Sequence, residues 1–287
     1  MRQVLKLLRV HHYIKNVLVL AALACSGQIF NMEKLRAGLI GFAAFCVVSS
    51  SVYIFNDIRD VEKDRLHETK KNRPIASGSV SIREAEGIGL VLLCMAFVLN
   101  SFVFRISSSL LIATYLVLNL LYSIGLKDVP LVDITILVSG FVIRVLYGAI
   151  ITKVKVSNWL YLTVVVLSFM MALGKRRNEL LRSSGNEARR VLQYYSVGFL
   201  DKSMYMCLGL TNAFYALWSM DDKTTSHYNN DYLVFTVPIV MLITLRYTMD
   251  IESDSDGDPV EVLINDKFLL FLCVAYLFVM FFILYLA

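Results

Sequence analysis

The sequence predicts an all-α, polytopic membrane protein, and two observations carry that class. Hydrophobic residues make up 57% of the 287 residues and charged residues only 18%, where soluble domains average about 25% charge. Mean hydropathy is +0.63. The apolar residues are also blocked into runs of about 18 or more, the length of a bilayer-crossing helix. Such runs are too long and too uniform for barrel strands. In lipid, a helix satisfies every backbone polar group within itself.

The elements follow in order. The N-terminal stretch "MRQVLKLLRVHHYIKN" is basic and amphipathic. No small-residue cleavage site follows it, so the first apolar run reads as a retained helix rather than a signal peptide. Nine spans are expected, over 17–30, 37–55, 87–104, 108–124, 131–151, 158–174, 194–219, 232–249 and 268–287. The first is short; extension by Tyr13 to Asn16, or a tilt, would accommodate it. No internal repeat or linker is evident, so residues 1–287 read as one domain.

Loop charge sets the expected orientation. Nineteen of the 28 Lys and Arg fall in segments on the N-terminal side, and six fall on the other side. By the positive-inside rule the N-terminus is cytoplasmic and the C-terminus outside. The polar loops 56–86 and 175–193 then share the cytoplasmic face, which gathers the polar chemistry there. Nothing in the pattern suggests a nucleic-acid partner; homo-oligomerisation stays open. Cys25, Cys46, Cys94, Cys207 and Cys273 lie in apolar runs without C-x-x-C spacing and read as buried small hydrophobes. His11, His12, His67 and His227 are scattered and form no ligand set.

"FNDIRDVEKDRLHETKKNRPIASG" (55–78) interrupts the oil. Asp57, Asp60 and Asp64 stand at i, i+3 and i+7, on one face of a helix, with Asn56 beside them. Three adjacent carboxylates repel one another, and a hard divalent cation resolves the repulsion. Mg²⁺ takes oxygen ligands and usually needs one or two carboxylates plus substrate phosphates. Lys70, Lys71 and Arg73 can meet phosphate oxygens directly. The plainer alternative is a solvated helix end with salt-bridged charges.

A second polar cluster is spread over three places. "YSIGLKDVPLVD" holds Tyr122, Lys127, Asp128 and Asp133. "SGFVIRVLYG" places Arg144 mid-span, as a substrate contact or a buried helix-holding ion pair. "GKRRNELL" places Lys175 and Glu179 at i, i+4, with Lys175 to Arg177 also serving as topology-setting charge. "RYTMDIESDSDGDPVEVL" resembles a calcium loop only partly: Glu252 stands where an Asp belongs and Leu263 where the closing Glu belongs. Arg246 and Asp250 are spaced to pair.

"NDIRDVEKD" followed by "KKNRPIASG" resembles the first aspartate-rich motif of the UbiA superfamily of intramembrane prenyltransferases. The resemblance implies nine transmembrane helices around a central cavity open to the cytoplasm. The second D-x-x-x-D motif of that superfamily is not present; Asp133 and "GKRRNEL" stand there instead. Together with "RVHHYIKNVLVLA", "GFVIRVLYGAI" and "LRYTMDIESDSDGDPVEVL", this is similar to the decaprenyl-phosphate phosphoribosyltransferase group, over about residues 9 to 270. That group transfers 5-phosphoribose from phosphoribosyl pyrophosphate to a polyprenyl phosphate in cell-envelope biosynthesis. The resemblance implies that Asn56, Asp57, Asp60 and Asp64 bind Mg²⁺ and pyrophosphate, the three aspartates being catalytic. Lys15, Arg73, Lys127, Lys175 and Arg176 would bind phosphates, with Tyr122, Asp133, Arg144 and Glu179 also lining the substrate site. The alternative on the same scaffold moves a prenyl group from a prenyl diphosphate to an aromatic or lipid acceptor. A transporter fits less well, because the charged clusters lie on one side and no inverted repeat is present.

Overall fold

The computed structural model describes residues 2–66, 69–103, 105–182, 189–228, 231–253, 255 and 257–286. Among them every regular element is helical. Six helices are long and apolar enough to cross a membrane by length and composition: Met32–Arg59, Ile106–Ile124, Val132–Thr152, Asn158–Arg182, Tyr232–Glu252 and Lys267–Tyr285. The protein is a multi-pass membrane protein.

The chain divides into two compact units, 1–127 with 143–155, and 128–142 with 156–287. Unit 1 holds α1 (Arg2–Leu8), a 3₁₀ helix (Val10–Leu20), α2 (Ala21–Ala24), α3 (Met32–Arg59), α4 (Val61–Leu66), α5 (Ile82–Ser101) and α6 (Ile106–Ile124). It also holds the second half of α7 (Val132–Thr152). Asn31 caps α3 by accepting from the Lys34 amide at 3.2 Å. Ser81 and Glu84 form a capping box at the start of α5, satisfying amides that the first turn leaves orphaned. The unit packs around Phe45, Val48, Val52, Ile112, Tyr115 and Tyr147. A second cluster joins Leu7, Ile54, Val61, Ile75, Val80 and Ala85. At Gly148 the α7 backbone meets the Val19 carbonyl so closely that a Cβ would stand 1.7 Å from its oxygen.

Unit 2 holds the first half of α7, then α8 (Asn158–Arg182), α9 (Val197–Met220), α10 (Asp222–Tyr228), α11 (Val237–Glu252), α12 (Pro259–Asn265) and α13 (Lys267–Tyr285). Its core gathers Ile134, Met170, Leu173, Leu200, Met204 and Ile251.

Three of the nine expected spans fall outside those six. The first begins at Val10 rather than residue 17, because Arg9 breaks the preceding helix with φ 52°. It runs as a 3₁₀ helix into α2 and is shorter than the six spans above. A 3₁₀ rise of about 2.0 Å per residue recovers part of the missing length. The other two fall on α5 and α9, which have 20 and 24 residues. Both carry charges near their N-terminal ends, Arg83, Glu84 and Glu86 in α5 and Asp201 and Lys202 in α9. No cysteine forms a disulfide; Cys46 and Cys207 are buried as expected, whereas Cys94 is exposed on the surface of α5.

Candidate active site

The aspartate cluster lies in unit 1 where α3 gives way to α4. The sequence pattern suggests one helix; the structure has two, meeting at Asp60, which caps α3 with φ −93° and ψ 8°. Backbone bonds still cross the joint, from the Asp60 amide to Asn56 (2.9 Å) and from the Asp64 amide to Asp60 (2.8 Å). Asp57 and Asp64 are buried. They converge on a single nitrogen: Arg73 Nη1 lies 3.1 Å from Asp57 Oδ1 and 2.6 Å from Asp64 Oδ2. Asp60 points elsewhere, to Lys127 Nζ at 3.1 Å.

Arg73 owes its place to the loop around it. It precedes Pro74 and is extended, with φ −66° and ψ 146°, as a residue before proline prefers. The turn closes with bonds from Ser77 N to Arg73 O (2.9 Å) and Val80 N to Pro74 O (3.0 Å). Ile75, only 2% exposed, anchors it in the core beside Ile54 of α3. A short apolar anchor thus holds the guanidinium against both carboxylates.

Arg9 is a third cation at the cluster, and sequence spacing gave no sign of it. Its Nη2 donates to Asp57 Oδ1 at 2.5 Å. Its Cζ lies 5.0 Å from the centre of the Tyr53 ring, a favourable cation–π distance. The left-handed φ of 52° is uncommon outside glycine, and such strain concentrates at functional sites. Ser50 Oγ fixes the preceding turn by donating to Leu8 O at 2.8 Å. Asn56 is joined to α6 by a bond from Ser123 Oγ. Tyr122, beside it, is half-buried.

Arg144 is buried in unit 1 at 5% exposure. Its Nε donates to Asn16 Oδ1 at 2.8 Å and Nη2 to Tyr115 OH at 3.3 Å. Its Cζ lies 4.9 Å from the Phe45 ring centre and 5.2 Å from that of Tyr115. These contacts, to an amide, a phenol and two aromatic rings, join Arg144 to the 3₁₀ helix, α3 and α6. Lys15 is half-buried on the 3₁₀ helix.

Unit 2 carries the remaining residues. Arg176 and Asp133 both have side chains 0% exposed. Arg176 Nε donates to Asp133 Oδ2 at 2.5 Å and Nη1 to Glu179 Oε2 at 2.5 Å. Tyr195 OH donates to Asp133 Oδ1 at 2.7 Å and accepts from the Leu131 amide at 2.6 Å, which holds Leu131 at φ 65°. Glu179 also faces Arg189 at 3.5 Å. Lys175 Nζ meets Asp258 Oδ2 at 3.1 Å. Asn178 Nδ2 donates to Ser255 O (3.1 Å) and Oγ (2.9 Å), and Gly257 turns with φ 76° against α8. A Cβ at Gly257 would stand 2.9 Å from the Lys175 Cα. The motif that partly resembles a calcium loop is therefore in part a strap on the end of α8; Asp254 and Asp256 lie outside the described residues, as does His67. Arg246 donates to Asp266, and Asp250 is its more distant partner at 3.7 Å.

Among the described residues no three His, Cys, Asp or Glu side chains are gathered into a ready metal cage. The fit to a divalent cation rests on chemistry instead. Asp57 and Asp64 already share one cationic nitrogen, and the donors are all oxygens, as Mg²⁺ prefers.

The model of the UbiA prenyltransferase family matches residues 16–179, more than half of the chain. The chain belongs to the UbiA prenyltransferase family. Among its relatives, the decaprenyl-phosphate phosphoribosyltransferase of Corynebacterium glutamicum is 34% identical over 96% of this chain and 84% of its own length. The enzyme of the same name from Mycolicibacterium smegmatis is also 34% identical, over 95% and 89%. A solved UbiA homolog from Archaeoglobus fulgidus, bound to DMAPP and Mg²⁺, superposes with a TM-score of 0.73 at 19% identity, covering 96% of this chain and 98% of that one. At that identity the likeness shows the UbiA fold alone. Within this family frame, Arg9, Ser123, Tyr195 and Asp258 are the site neighbours that sequence spacing did not reveal.

Proposed function

We propose that this protein transfers 5-phosphoribose from phosphoribosyl pyrophosphate to a polyprenyl phosphate, releasing pyrophosphate, in a bacterial inner membrane with the site facing the cytoplasm. One observation carries the reading: three carboxylates, Asp57, Asp60 and Asp64, are each met by a cation from a different segment, Arg9, Arg73 or Lys127. Such a surface suits a polyanionic leaving group. The full-length relatives named as phosphoribosyltransferases support the choice of donor.

In this reading Asn56, Asp57, Asp60 and Asp64 hold Mg²⁺, which when bound neutralises the pyrophosphate as a Lewis acid. Arg9, Arg73 and Lys127 exchange carboxylate partners for phosphate oxygens, charge-assisted bonds of similar geometry. The ribose C1–O bond to pyrophosphate breaks, and its electron pair leaves with the pyrophosphate. A lipid phosphate oxygen forms the new bond to C1. That oxygen is already ionised, so no strong general base is needed. The work of the side chains is positioning and charge stabilisation. Lys175, part-exposed at 29%, is kept as a phosphate contact. Arg176 and Asp133, fully enclosed, are assigned to holding α7 and α8.

The second reading is prenyl transfer, favoured by the fold shared with a prenyl-diphosphate-binding homolog. The deciding assay uses purified protein in lipid. Labelled phosphoribosyl pyrophosphate with polyprenyl phosphate should yield a labelled lipid. Product only from a prenyl diphosphate and an aromatic or lipid acceptor would instead establish the second reading.

A further inference from the structure

The 3₁₀ helix Val10–Leu20 is 11 residues long, whereas such helices seldom exceed three or four residues. With three residues per turn, side chains three apart stack in rows, and exposure along this segment repeats with that period. One row turns inward after its first residue: Val10 is exposed, Tyr13 is half-buried, and Asn16 and Val19 are buried. A second row is exposed at His11, Ile14 and Val17 and half-buried at Leu20. The third, Arg9, His12, Lys15 and Leu18, is half-buried throughout.

Contacts agree with the rows. The enclosed row is docked: Tyr13 OH and Ser50 Oγ are 2.8 Å apart, and Asn16 Nδ2 donates to Ser49 Oγ at 3.1 Å. Asn16 also accepts from Arg144, and Val19 abuts Gly148. The exposed row carries Ile14 and Val17, apolar groups suited to lipid. The third row starts at the aspartate cluster. Arg9 is bonded to Asp57 and lies over Tyr53, and the His12 ring centre is 5.5 Å from that of the same Tyr53. Lys15 comes next. Within the 3₁₀ helix His12 and Lys15 stack one turn apart, and the bond from the His12 amide to Arg9 O (2.8 Å) sets Arg9 one turn before His12.

We propose that His12 is a further substrate-contacting residue, and that Arg9, His12 and Lys15 form one row receiving a phosphate group, with a His12 ring N–H donating to a phosphate oxygen. The proposal rests on the phosphoribosyl reading above. Two sources share this chemistry, the lipid phosphate and the 5-phosphate of the donor.

The test uses the full chain in lipid nanodiscs, with His12→Ala, His12→Gln and His11→Ala. Loss of a phosphate contact should raise the KM of one substrate about tenfold in His12→Ala. A rise for polyprenyl phosphate assigns the row to the lipid, and a rise for phosphoribosyl pyrophosphate assigns it to the 5-phosphate. His12→Gln, which keeps an N–H donor, should recover most of the effect, and His11→Ala, in the exposed row, should match wild type. Unchanged KM values in both His12 variants, or equal effects at His11 and His12, would overturn the row. Wild-type transfer is read in the same assay, so a missing product indicts the assigned reaction rather than His12. In that event binding of inorganic phosphate decides the row: weaker binding in His12→Ala supports it, and equal affinity overturns it.

Discussion

Arg9 Nη2 lies 2.5 Å from Asp57 Oδ1, across 48 residues of sequence. The pair joins the N-terminal segment to the end of α3. Asp57 has a 4% exposed side chain and Arg9 an 18% exposed one, so the bond is shielded from water and gains strength accordingly. Removing one member of a buried pair leaves the other uncompensated.

Arg9→Ala should lower kcat/KM for phosphoribosyl pyrophosphate by about ten- to hundredfold, the cost of one or two charge-assisted contacts. Arg9→Lys should restore part of it, since a point charge replaces the fork. Steady-state kinetics with a varied donor measures both. Full activity in Arg9→Ala would remove Arg9 from the site.

Asp57→Asn keeps the side-chain shape and removes the charge. Turnover should fall by about a hundredfold or more, since the leaving group loses its metal–carboxylate support. EDTA should silence the wild type, and added Mg²⁺ should restore it. Retained activity in EDTA contradicts the metal assignment.

Arg176→Ala should act on stability before chemistry. It leaves Asp133 charged and fully enclosed, a cost of about 3–5 kcal/mol. A thermal melt in detergent should show a clear drop. A normal melt with a raised KM for the donor would return Arg176 to the substrate-binding set.

Gly148→Ala forces a methyl into the Val19 carbonyl, where a Cβ would stand 1.7 Å away. Backbone must move, and overpacking of this kind costs about 1–3 kcal/mol. Both the melting temperature and the activity should fall, because the displaced 3₁₀ helix carries Lys15 and follows directly on Arg9. A variant with unchanged activity would show that the docking of this helix does not position the site.

A reporter inserted at Arg189 should lie in the cytoplasm, and one fused after Ala287 should lie outside it, from the bias of Lys and Arg among the loops. Protease protection or reporter activity reads this directly. Both reporters on one side would overturn the orientation.

The sequence by itself determined the class, the family and the residues of the aspartate cluster. Long apolar runs admit only helices in lipid, and "NDIRDVEKD" with "KKNRPIASG" marks the chemistry through residue type and short spacing. The apolar runs were legible as helices even where a charge such as Arg144 stands mid-span. The first was less so, since a run of apolar residues does not say that it winds as a 3₁₀ helix. Only the tertiary structure decided the partners. Arg73 serves Asp57 and Asp64 because Ile75 anchors its loop, Asp60 goes to Lys127, and Arg9 reaches Asp57 through a left-handed turn. Lys175 meets Asp258, and Arg176 is enclosed with Asp133. The physical reason is range. Helix periodicity and residue chemistry act over a few residues and are written in local order. A charge buried in a low-dielectric interior takes whichever opposite charge the packing brings within about 3 Å, and that choice depends on segments far apart in the chain.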